Sequence, residues 1–527
     1  MLDERRKTRD ERRKTRDERR ETRDERIIAA LFSIFLISQL VACAGTTQTA
    51  EATKQAPEIS VAKDSAVLNN ASEPQNPAKY QDIQYPEFKY VVPRPETYRV
   101  VISDSITGYI VEDKSLPLAS LSVMFREYTV PKSAEEIAAK EILSGMFKNG
   151  GSKVMSAQAI DDSLEFISAG IGGGVGTRSS HFSVNSLSRD FYSTANMARD
   201  IFTKPAFDSA RLEIQKANFV TAYERRFDTP AAVLGALKAK VNYQSSPRLW
   251  DANAEEYKKV SVADLQKFAP GKFTPNRIVF SFAGDLPRDS VIAFLTDYFK
   301  NWNVETAKTL DTAETTILLN KPGIYGVDRE VTQANIALNQ PFIKRPHPDY
   351  YKAVVASFIL GGGSFSSRLM EQVRSNNGLA YSIYSTVGNS YNDTALTTIA
   401  LQTKIESAKQ ALDLIKQEIE KLAAEGPTEA ELALAKKTLI ESLPSMFSTA
   451  EETAGTFADN EFVGKKMDHF DEYVREINAV TAEDVKAMTA KYFDYSKMTI
   501  SVVAPKAVLE SLGNVTIIPL DSLEMRP

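Results

Sequence analysis

The strongest constraint on the fold of this chain is an internal repeat with a spacing of 220 residues. Residues 260–265 read VSVADL and residues 480–485 read VTAEDV, and each has a Ser or Thr helix cap followed three positions later by an acidic residue. The match continues without a gap to alternating strands at 278–282 and 498–502. A repeat this long predicts two similar domains, each ending in a helix, a turn and a strand.

The openings of the two halves also agree. The apolar periodicity predicts strands at 99–104, 118–128 and 336–339, and helices at 134–147 and 349–360. Strands and helices are mixed without strict alternation, which favours an α+β fold with sheet and helix layers. We therefore expect one mixed sheet-plus-helix domain at about 92–312 and a homologous one at about 318–515.

Composition excludes several classes of protein. The 527 residues are 43% hydrophobic and 25% charged, which is ordinary globular usage and is enough for two cores. The net charge of −5 gives no overall basic field, so we expect no nucleic-acid partner. A single cysteine excludes a disulfide framework and a cysteine-rich metal site.

The N-terminus does not read as part of a fold. Residues 3–9 recur at 10–16 and, with one change, at 17–23, so 1–26 is a charged seven-residue repeat. It has no apolar seam positions and cannot form a coiled coil. The segment carries 12 basic and 9 acidic residues, a net charge of +3. A mis-assigned start codon remains open as an explanation of this repeat.

A lipoprotein signal is predicted directly after this repeat. Residues 27–42 are uncharged, too short for a comfortable membrane span of about 20 residues and typical of the apolar region of a signal peptide. The segment ends in LVAC, and Cys43 is predicted to be lipidated; an uncut membrane anchor is the alternative. Ala44 at the next position favours the periplasmic side of the outer membrane over inner-membrane retention. Residues 44–91 are polar and read as a flexible tether.

A motif in the second half identifies a family. Residues 361–369 read GGGSFSSRL, followed by Arg374 and, at 378–382, by GLAYS, which includes Tyr381. This stretch closely resembles the second-domain signature of the insulinase/pitrilysin-type zinc peptidases and of mitochondrial processing peptidase. The resemblance implies that Arg374 and Tyr381 bind a peptide substrate near the scissile bond. On spacing alone, an alternative stays open, in which Arg374 offsets a helix dipole and Tyr381 packs in the core.

The first half lacks the zinc motif that the same resemblance implies. Where the family carries His-x-x-Glu-His on a helix, the two ligand positions are Lys140 and Ser144, and the general-base position is Leu143. A lysine cation repels Zn²⁺, and a leucine cannot accept a proton. The third ligand, a Glu on a later helix, falls at Thr221 or Ala222. We therefore expect no metal on this chain.

The other candidates for chemistry are weak. His181, His347 and His469 each lack a second His or Cys nearby in sequence, so none is predicted to bind metal. Residues 172–176 read GGGVG but lack the Lys-Ser/Thr ending of a phosphate loop. They read instead as an edge segment of a sheet that lets another backbone approach.

The resemblance implies half of a clamshell around a peptide. Some members of the family divide the work between two chains, one with the zinc motif and one with the Arg/Tyr pair, and this chain has only the second feature. The leading hypothesis is a non-catalytic, lipid-anchored subunit whose zinc sits on a partner bearing His-x-x-Glu-His. The alternatives are a structural or peptide-binding module that has lost proteolysis, and a self-sufficient enzyme with an unfamiliar site.

Overall fold

The computed structural model describes residues 90–126, 131–176, 179–245, 249–268, 277–300, 318–319 and 321–526. Phe88–Pro527 form one compact unit. The charged repeat, the signal peptide with Cys43, and nearly all of the tether lie outside the described residues. The predicted domain boundaries stay predictions. No helix within the described ranges is both long enough and apolar enough to cross a bilayer.

Each half contributes one six-stranded sheet. The first runs in the order β1-β2-β6-β3-β5-β4 and the second in the order β12-β7-β11-β8-β10-β9. The first sheet contains β1 (Arg99–Ser103), β2 (Ile106–Glu112), β3 (Leu118–Arg126), β4 (Gly170–Val175), β5 (Ser179–Leu187) and β6 (Arg277–Gly284). The second contains β7 (Gly323–Asp328), β8 (Gln333–Pro341), β9 (Ala380–Val387), β10 (Leu396–Lys404), β11 (Thr499–Ala504) and β12 (Val515–Ile517).

Five strands of each sheet have the same order and direction. β2 and β6 are parallel and the remaining pairs out to β4 are antiparallel, and β7, β11, β8, β10 and β9 repeat this pattern. Only the sixth strand differs, since β1 pairs antiparallel with β2 whereas β12 pairs parallel with β7. The predicted α+β class and the predicted duplication are confirmed.

Helices cover the sheets. In the first half they are α1 (Pro95–Tyr98), α2 (Ala134–Asn149), α3 (Ala157–Phe166), α4 (Phe191–Thr203), α5 (Ser209–Glu224), α6 (Pro230–Asn242), α7 (Ala254–Lys259), α8 (Val262–Phe268) and α9 (Arg288–Phe299). In the second they are α10 (Tyr350–Ser357), α11 (Ala408–Glu425), α12 (Glu429–Glu441), α13 (Ala450–Phe462), α14 (His469–Ala479), α15 (Ala482–Tyr492) and α16 (Lys506–Ser511).

The two repeated segments form the same helix cap in the structure. At the start of α15 the Thr481 side chain accepts the Asp484 N–H, and the Asp484 carboxylate accepts the Thr481 N–H. Ser261 and Asp264 make the same exchange before α8. Each pair satisfies backbone donors that the first helical turn leaves open, and so fixes where the helix begins.

The two halves exchange a helix. α6 of the first half packs on the second sheet, where Val233 and Leu237 meet Val503 in a buried apolar cluster. α13 of the second half packs on the first sheet, where Phe457 meets Tyr109. The two helices start 220 residues apart, after capping residues Thr229 and Thr449, so the exchange is reciprocal.

The C-terminal segment also crosses to the first half. Met525 accepts a hydrogen bond from the Asp251 N–H at 2.7 Å and donates its own N–H to the Asp251 carboxylate at 3.0 Å. The Arg526 guanidinium makes two bonds to Glu256, at 2.9 and 2.8 Å. The ordered structure therefore continues beyond the predicted second domain and ties the end of the chain to α7.

Candidate functional site

Helix α2 carries the positions where the family has its zinc motif. Lys140 is only 5% exposed and Leu143 is fully buried, so both lie in the core face of the helix. The Ser144 hydroxyl accepts a hydrogen bond of 3.0 Å from the Val175 N–H of β4. The residue at the second ligand position therefore anchors the main chain of the neighbouring strand.

The glycine-rich segment forms strand β4, which lies at one edge of the first sheet. A Cβ on Gly173 would lie 2.4 Å from the Phe202 ring, and one on Gly174 would lie 3.1 Å from the Ser144 hydroxyl. The glycines therefore let this strand lie directly against the side chains of α4 and α2. The prediction of an edge segment with close neighbours is confirmed, and the segment leads into strand β5 rather than into a helix.

Helix α5 carries the positions of the third ligand. It packs beside α2, since a Cβ on Gly145 would lie 3.0 Å from the Gln215 amide oxygen. Thr221 and Ala222 are exposed, and the Thr221 hydroxyl donates to the Ala217 carbonyl at 2.9 Å within the same helix. Across the described residues, no group of three or more His, Cys, Asp or Glu side chains could hold a metal ion.

The three histidines lie in separate settings. His181 is exposed on β5, beside Gly174. His347 precedes α10, and its Nδ1 accepts the Asp349 N–H at 3.1 Å. His469 begins α14 and is buried, although the polar residues Lys465, Lys466 and Asp468 precede it.

Arg374 and Tyr381 come together on the surface of the second half. The Arg374 guanidinium lies 5.0 Å from the centre of the Tyr381 ring and 4.5 Å from that of Phe365. Tyr381 is 81% exposed and Phe365 is 66% exposed, so the alternative in which Tyr381 packs in the core is wrong. The three side chains form an exposed cluster of one cation and two aromatic rings.

The local backbone explains this placement. The β9–β10 register pairs Ser382 with Gln402 and Ala380 with Thr403, so Tyr381 is the extra residue of a β-bulge. A bulge re-aims one side chain, and such bulges are frequent beside functional sites. The buried Thr403 hydroxyl donates to the Leu379 carbonyl at 2.7 Å and holds the start of the bulge.

Arg374 lies in the last turn of a π-helical segment, Met370–Asn376. Gly378 follows with φ of 63° and donates its N–H to the Arg374 carbonyl at 2.9 Å, so a left-handed glycine ends the helical segment. No carboxylate pairs with the Arg374 guanidinium within the part of the chain that the structure describes. A cation without a carboxylate partner beside an exposed phenol can bind a peptide carbonyl or a developing oxyanion.

The triple glycine positions this cluster. Gly361 and Gly362 end a π-helical turn, and a Cβ on Gly361 would lie 2.7 Å from the Ser385 backbone nitrogen. Main chain therefore approaches β9 closely at this turn, and the neighbour is a strand of the same chain. Phe365 follows in a short 3₁₀ turn, Ser364–Ser366.

Comparison with known proteins agrees with this geometry. A family model described as the Peptidase M16 inactive domain matches residues 259–439. The non-peptidase homolog YmxG of Helicobacter pylori is 23% identical over 400 residues, covering 75% of this chain and 91% of that protein. The uncharacterized zinc protease YmxG of Bacillus subtilis is 26% identical over 359 residues, covering 67% and 85%.

These similarities support an insulinase-like M16 family member that lacks catalytic activity. The solved M16 inactive domain from Pseudomonas fluorescens has the same fold, with a TM-score of 0.66 and 24% identity, covering 79% of this chain and 96% of that one. The Escherichia coli periplasmic protease PqqL matches with a TM-score of 0.64 and 14% identity, but this chain covers only 49% of it. The M16 relationship supports an absence of catalytic zinc on this chain.

Sequence reasoning missed Phe365 as a member of the cluster. The residue lies inside the recognised motif, between Gly and Ser residues that have no apolar periodicity. A large aromatic side chain without such periodicity has no predicted core face, which was a usable signal of exposure.

Proposed function

We propose that this chain is the substrate-binding, non-catalytic subunit of a heteromeric zinc-dependent peptidase of the insulinase/processing-peptidase type. Its partner is a family member with an intact His-x-x-Glu-His motif, and its substrate is a peptide. The observation that carries the proposal is the combination of an exposed Arg374–Tyr381 pair with a helix α2 whose zinc-ligand positions are Lys140 and Ser144.

The chemistry of the pair fits this division of labour. Arg374 and Tyr381 offer hydrogen-bond donors that can stabilise negative charge on a substrate oxygen. The family activates water with zinc held on its His-x-x-Glu-His helix, and the corresponding positions here are Lys140, Leu143 and Ser144. A partner that supplies zinc-bound water would complete the reaction.

The lengths of the relatives support a second half on another chain. This chain spans about half of PqqL, with 49% of that chain covered, and 47% of the ferredoxin protease FusC, which was solved in complex with Arabidopsis ferredoxin. The mitochondrial-processing peptidase subunit beta of Blastocladiella emersonii is 24% identical over 274 residues. A two-chain arrangement would bring together what the longer proteases hold in one chain.

A second candidate is a structural or peptide-binding lipoprotein without any proteolytic complex. The name of the Helicobacter pylori relative, a non-peptidase homolog, favours it. Strands β4 and β9 each lie at an edge of their sheet, where an extended peptide could pair as an added strand. Copurification distinguishes the two candidates, because only the first requires a partner that bears the zinc motif.

Purified alone, the chain should hold no stoichiometric zinc and should cleave no unfolded peptide. The reason is that two ligand positions and the general-base position carry Lys140, Ser144 and Leu143. Metal analysis and a fluorogenic peptide assay measure both properties. One zinc per chain, together with peptidase activity that a chelator abolishes, would overturn the proposal.

We further propose attachment to a bacterial membrane on the periplasmic side, through lipid on Cys43. Cys43→Ala should release the protein from the membrane fraction or leave it as an unprocessed precursor. Because stable anchoring takes more than one acyl chain, a multiply acylated wild type should stay firmly attached. Mass spectrometry and fractionation test this, with Ala44→Ser as the matched control. A wild-type protein without added lipid mass on Cys43 would contradict the assignment.

A further inference from the structure

A cleft of about 690 Å³ lies in the second half, at the far end of β9 from Tyr381. Its walls are the loop after β8, the loop between β9 and β10, and the segment that leads into α14. Pockets of about 300–1,000 Å³ are typical of small-molecule sites. Neither the Arg374–Tyr381 cluster nor the degenerate zinc positions line it, so the cleft is separate from the proposed peptide site.

Arg345 forms the floor of this cleft. The side chain is buried, and its guanidinium lies 3.8 Å from the Tyr350 ring centre and 4.6 Å from that of Tyr391. It donates to the Asn389 amide oxygen at 2.7 Å and to the Tyr351 hydroxyl at 3.3 Å. Its buried Nε has no acceptor among the described residues, and no carboxylate there pairs with it. A buried cation held only by neutral groups has unused capacity for an anion.

Lys465 adds a second cation. Its Nζ donates to the Asn460 amide oxygen at 2.7 Å and lies 5.9 Å from the Tyr391 ring centre. Burial, and then repulsion from Arg345, lower the pKa of Lys465 to about 8, and attraction to Asp459 offsets only part of this shift. Burial also lowers the pKa of His469 to about 3, with Lys465 and Arg345 contributing, so this imidazole is neutral. The local field therefore opposes further positive charge.

The charges around the cleft are unequal. Four cations line it, namely Lys344, Arg345, Lys465 and Lys466, against two carboxylates on α14, Glu472 and Glu476. The Glu476 carboxylate is already paired with Arg475 at 3.1 Å. An entering oxyanion would relieve the repulsion between Arg345 and Lys465, and the Tyr391 ring offers a flat apolar surface beside them.

We propose that this cleft binds a small organic oxyanion, a carboxylate or phosphate carried on an aromatic body. The oxyanion contacts Lys465 and Arg345, and the aromatic body packs against Tyr391. The anionic group can be the phosphate of a small molecule or the terminal carboxylate of a peptide chain, and the choice of probes separates these two sources.

Calorimetric titration of the purified chain tests the proposal with four probes. N-acetylphenylalanine supplies a terminal carboxylate, and its C-terminal amide is the neutral matched control. Phenyl phosphate supplies a phosphate on an aromatic ring, and inorganic phosphate supplies the same anion without a ring. We expect one saturable site, with the amide bound at least about tenfold more weakly than the acid. Tighter binding of phenyl phosphate than of N-acetylphenylalanine assigns a phosphate ligand, and the reverse order assigns a terminal carboxylate.

Lys465→Gln should weaken the affinity for the tighter-binding probe by at least about tenfold, because it removes the charge and keeps a hydrogen-bonding side chain of similar reach. Tyr391→Leu should weaken the affinity for the aromatic probes and leave the affinity for inorganic phosphate unchanged. Lys409→Gln, an exposed charge on α11, is the matched control and should have no effect. Equal binding of acid and amide, no binding of any probe, or an unchanged affinity in Lys465→Gln would each overturn the proposal.

Affinity for N-acetylphenylalanine should also fall as the pH rises through about 8, where Lys465 loses its proton. The probe stays ionised from pH 6 to 9, because a terminal carboxyl titrates near about 3.5. The other charged or titratable groups that face Lys465 or line the cleft are Lys344, Arg345, His347, Tyr350, Tyr351, Tyr391, Asp459, Lys466, His469, Glu472 and Glu476. Lys465→Gln should remove the fall, and a fall that persists in this variant would contradict the assigned role of Lys465.

Discussion

Replacing Glu461 with Gln should lower the free energy of unfolding by about 3–5 kcal/mol, the range for breaking a buried ion pair from one side. The carboxylate is buried and takes two hydrogen bonds from Arg99, at 3.0 and 2.9 Å, and one from Arg277 at 2.9 Å. Thr107 and Tyr109 donate to it at 2.8 and 2.7 Å. A neutral amide would leave two half-buried guanidiniums without a counter-charge.

Glu461 and its partners link the two halves of the chain. Glu461 lies near the end of α13, the helix that the second half contributes to the first sheet, and Arg99, Thr107 and Arg277 all belong to that sheet. Loss of the carboxylate should therefore weaken the contact between the halves as well as the local fold.

Urea unfolding at neutral pH measures the change in stability. Glu420→Gln, which breaks an exposed ion pair with Lys416, is the matched control and should cost less than about 0.5 kcal/mol. A loss below about 1 kcal/mol for Glu461→Gln would contradict the expected cost of leaving the two guanidiniums without a counter-charge.

The pH dependence separates charge from packing. Burial raises the pKa of Glu461, but the bonds from Arg99, Tyr109 and Thr107 outweigh it and bring the pKa to about 2. Because the folded pKa is depressed, this stabilisation is present above the unfolded value of about 4.5 and is lost as the pH falls toward 2. Glu461→Gln should lack the part of the acid-induced loss of stability that comes from protonation of this carboxylate.

The duplication could be predicted from the sequence because its signals are local. Helix caps and alternating strands 220 residues apart indicated two similar halves, and the sheets confirm them. The exchange of α6 and α13 could not be predicted, because an apolar helix face does not specify which of two sheets it covers. Glu461 likewise sits in a sequence, ADNEF, that reads as an ordinary polar helix end.

The candidate site shows the same division between local and tertiary information. The resemblance supplied Arg374 and Tyr381, but strict alternation along β9 would place Tyr381 on the same face as Ile383, which is fully buried. The bulge shifts this register and exposes the ring. Bulges depend on pairing with β10, so no pattern within residues 380–387 could have predicted it.

In a complex with a partner that bears the zinc motif, Tyr381→Phe should lower peptide turnover by roughly 10²-fold or more, about 2.7 kcal/mol at the transition state, if the hydroxyl donates to the oxyanion. The change removes one hydroxyl from an exposed side chain, so folding should survive. Arg374→Ala should reduce both binding and turnover, because the cation and its packing stem are lost together. Loss of the cation also removes its contacts with the Phe365 and Tyr381 rings.

The strand itself provides a matched control for Tyr381→Phe. Tyr384 lies three residues further along β9 and is 48% exposed, but it has no cation–π contact with Arg374. Tyr384→Phe should therefore leave kcat and KM unchanged. Thermal melting and partner binding must match wild type in all three variants, since only then does a kinetic effect report on substrate contact. Full activity of a normally assembled Tyr381→Phe complex would place the pair outside the reaction and favour the peptide-binding lipoprotein without proteolytic function.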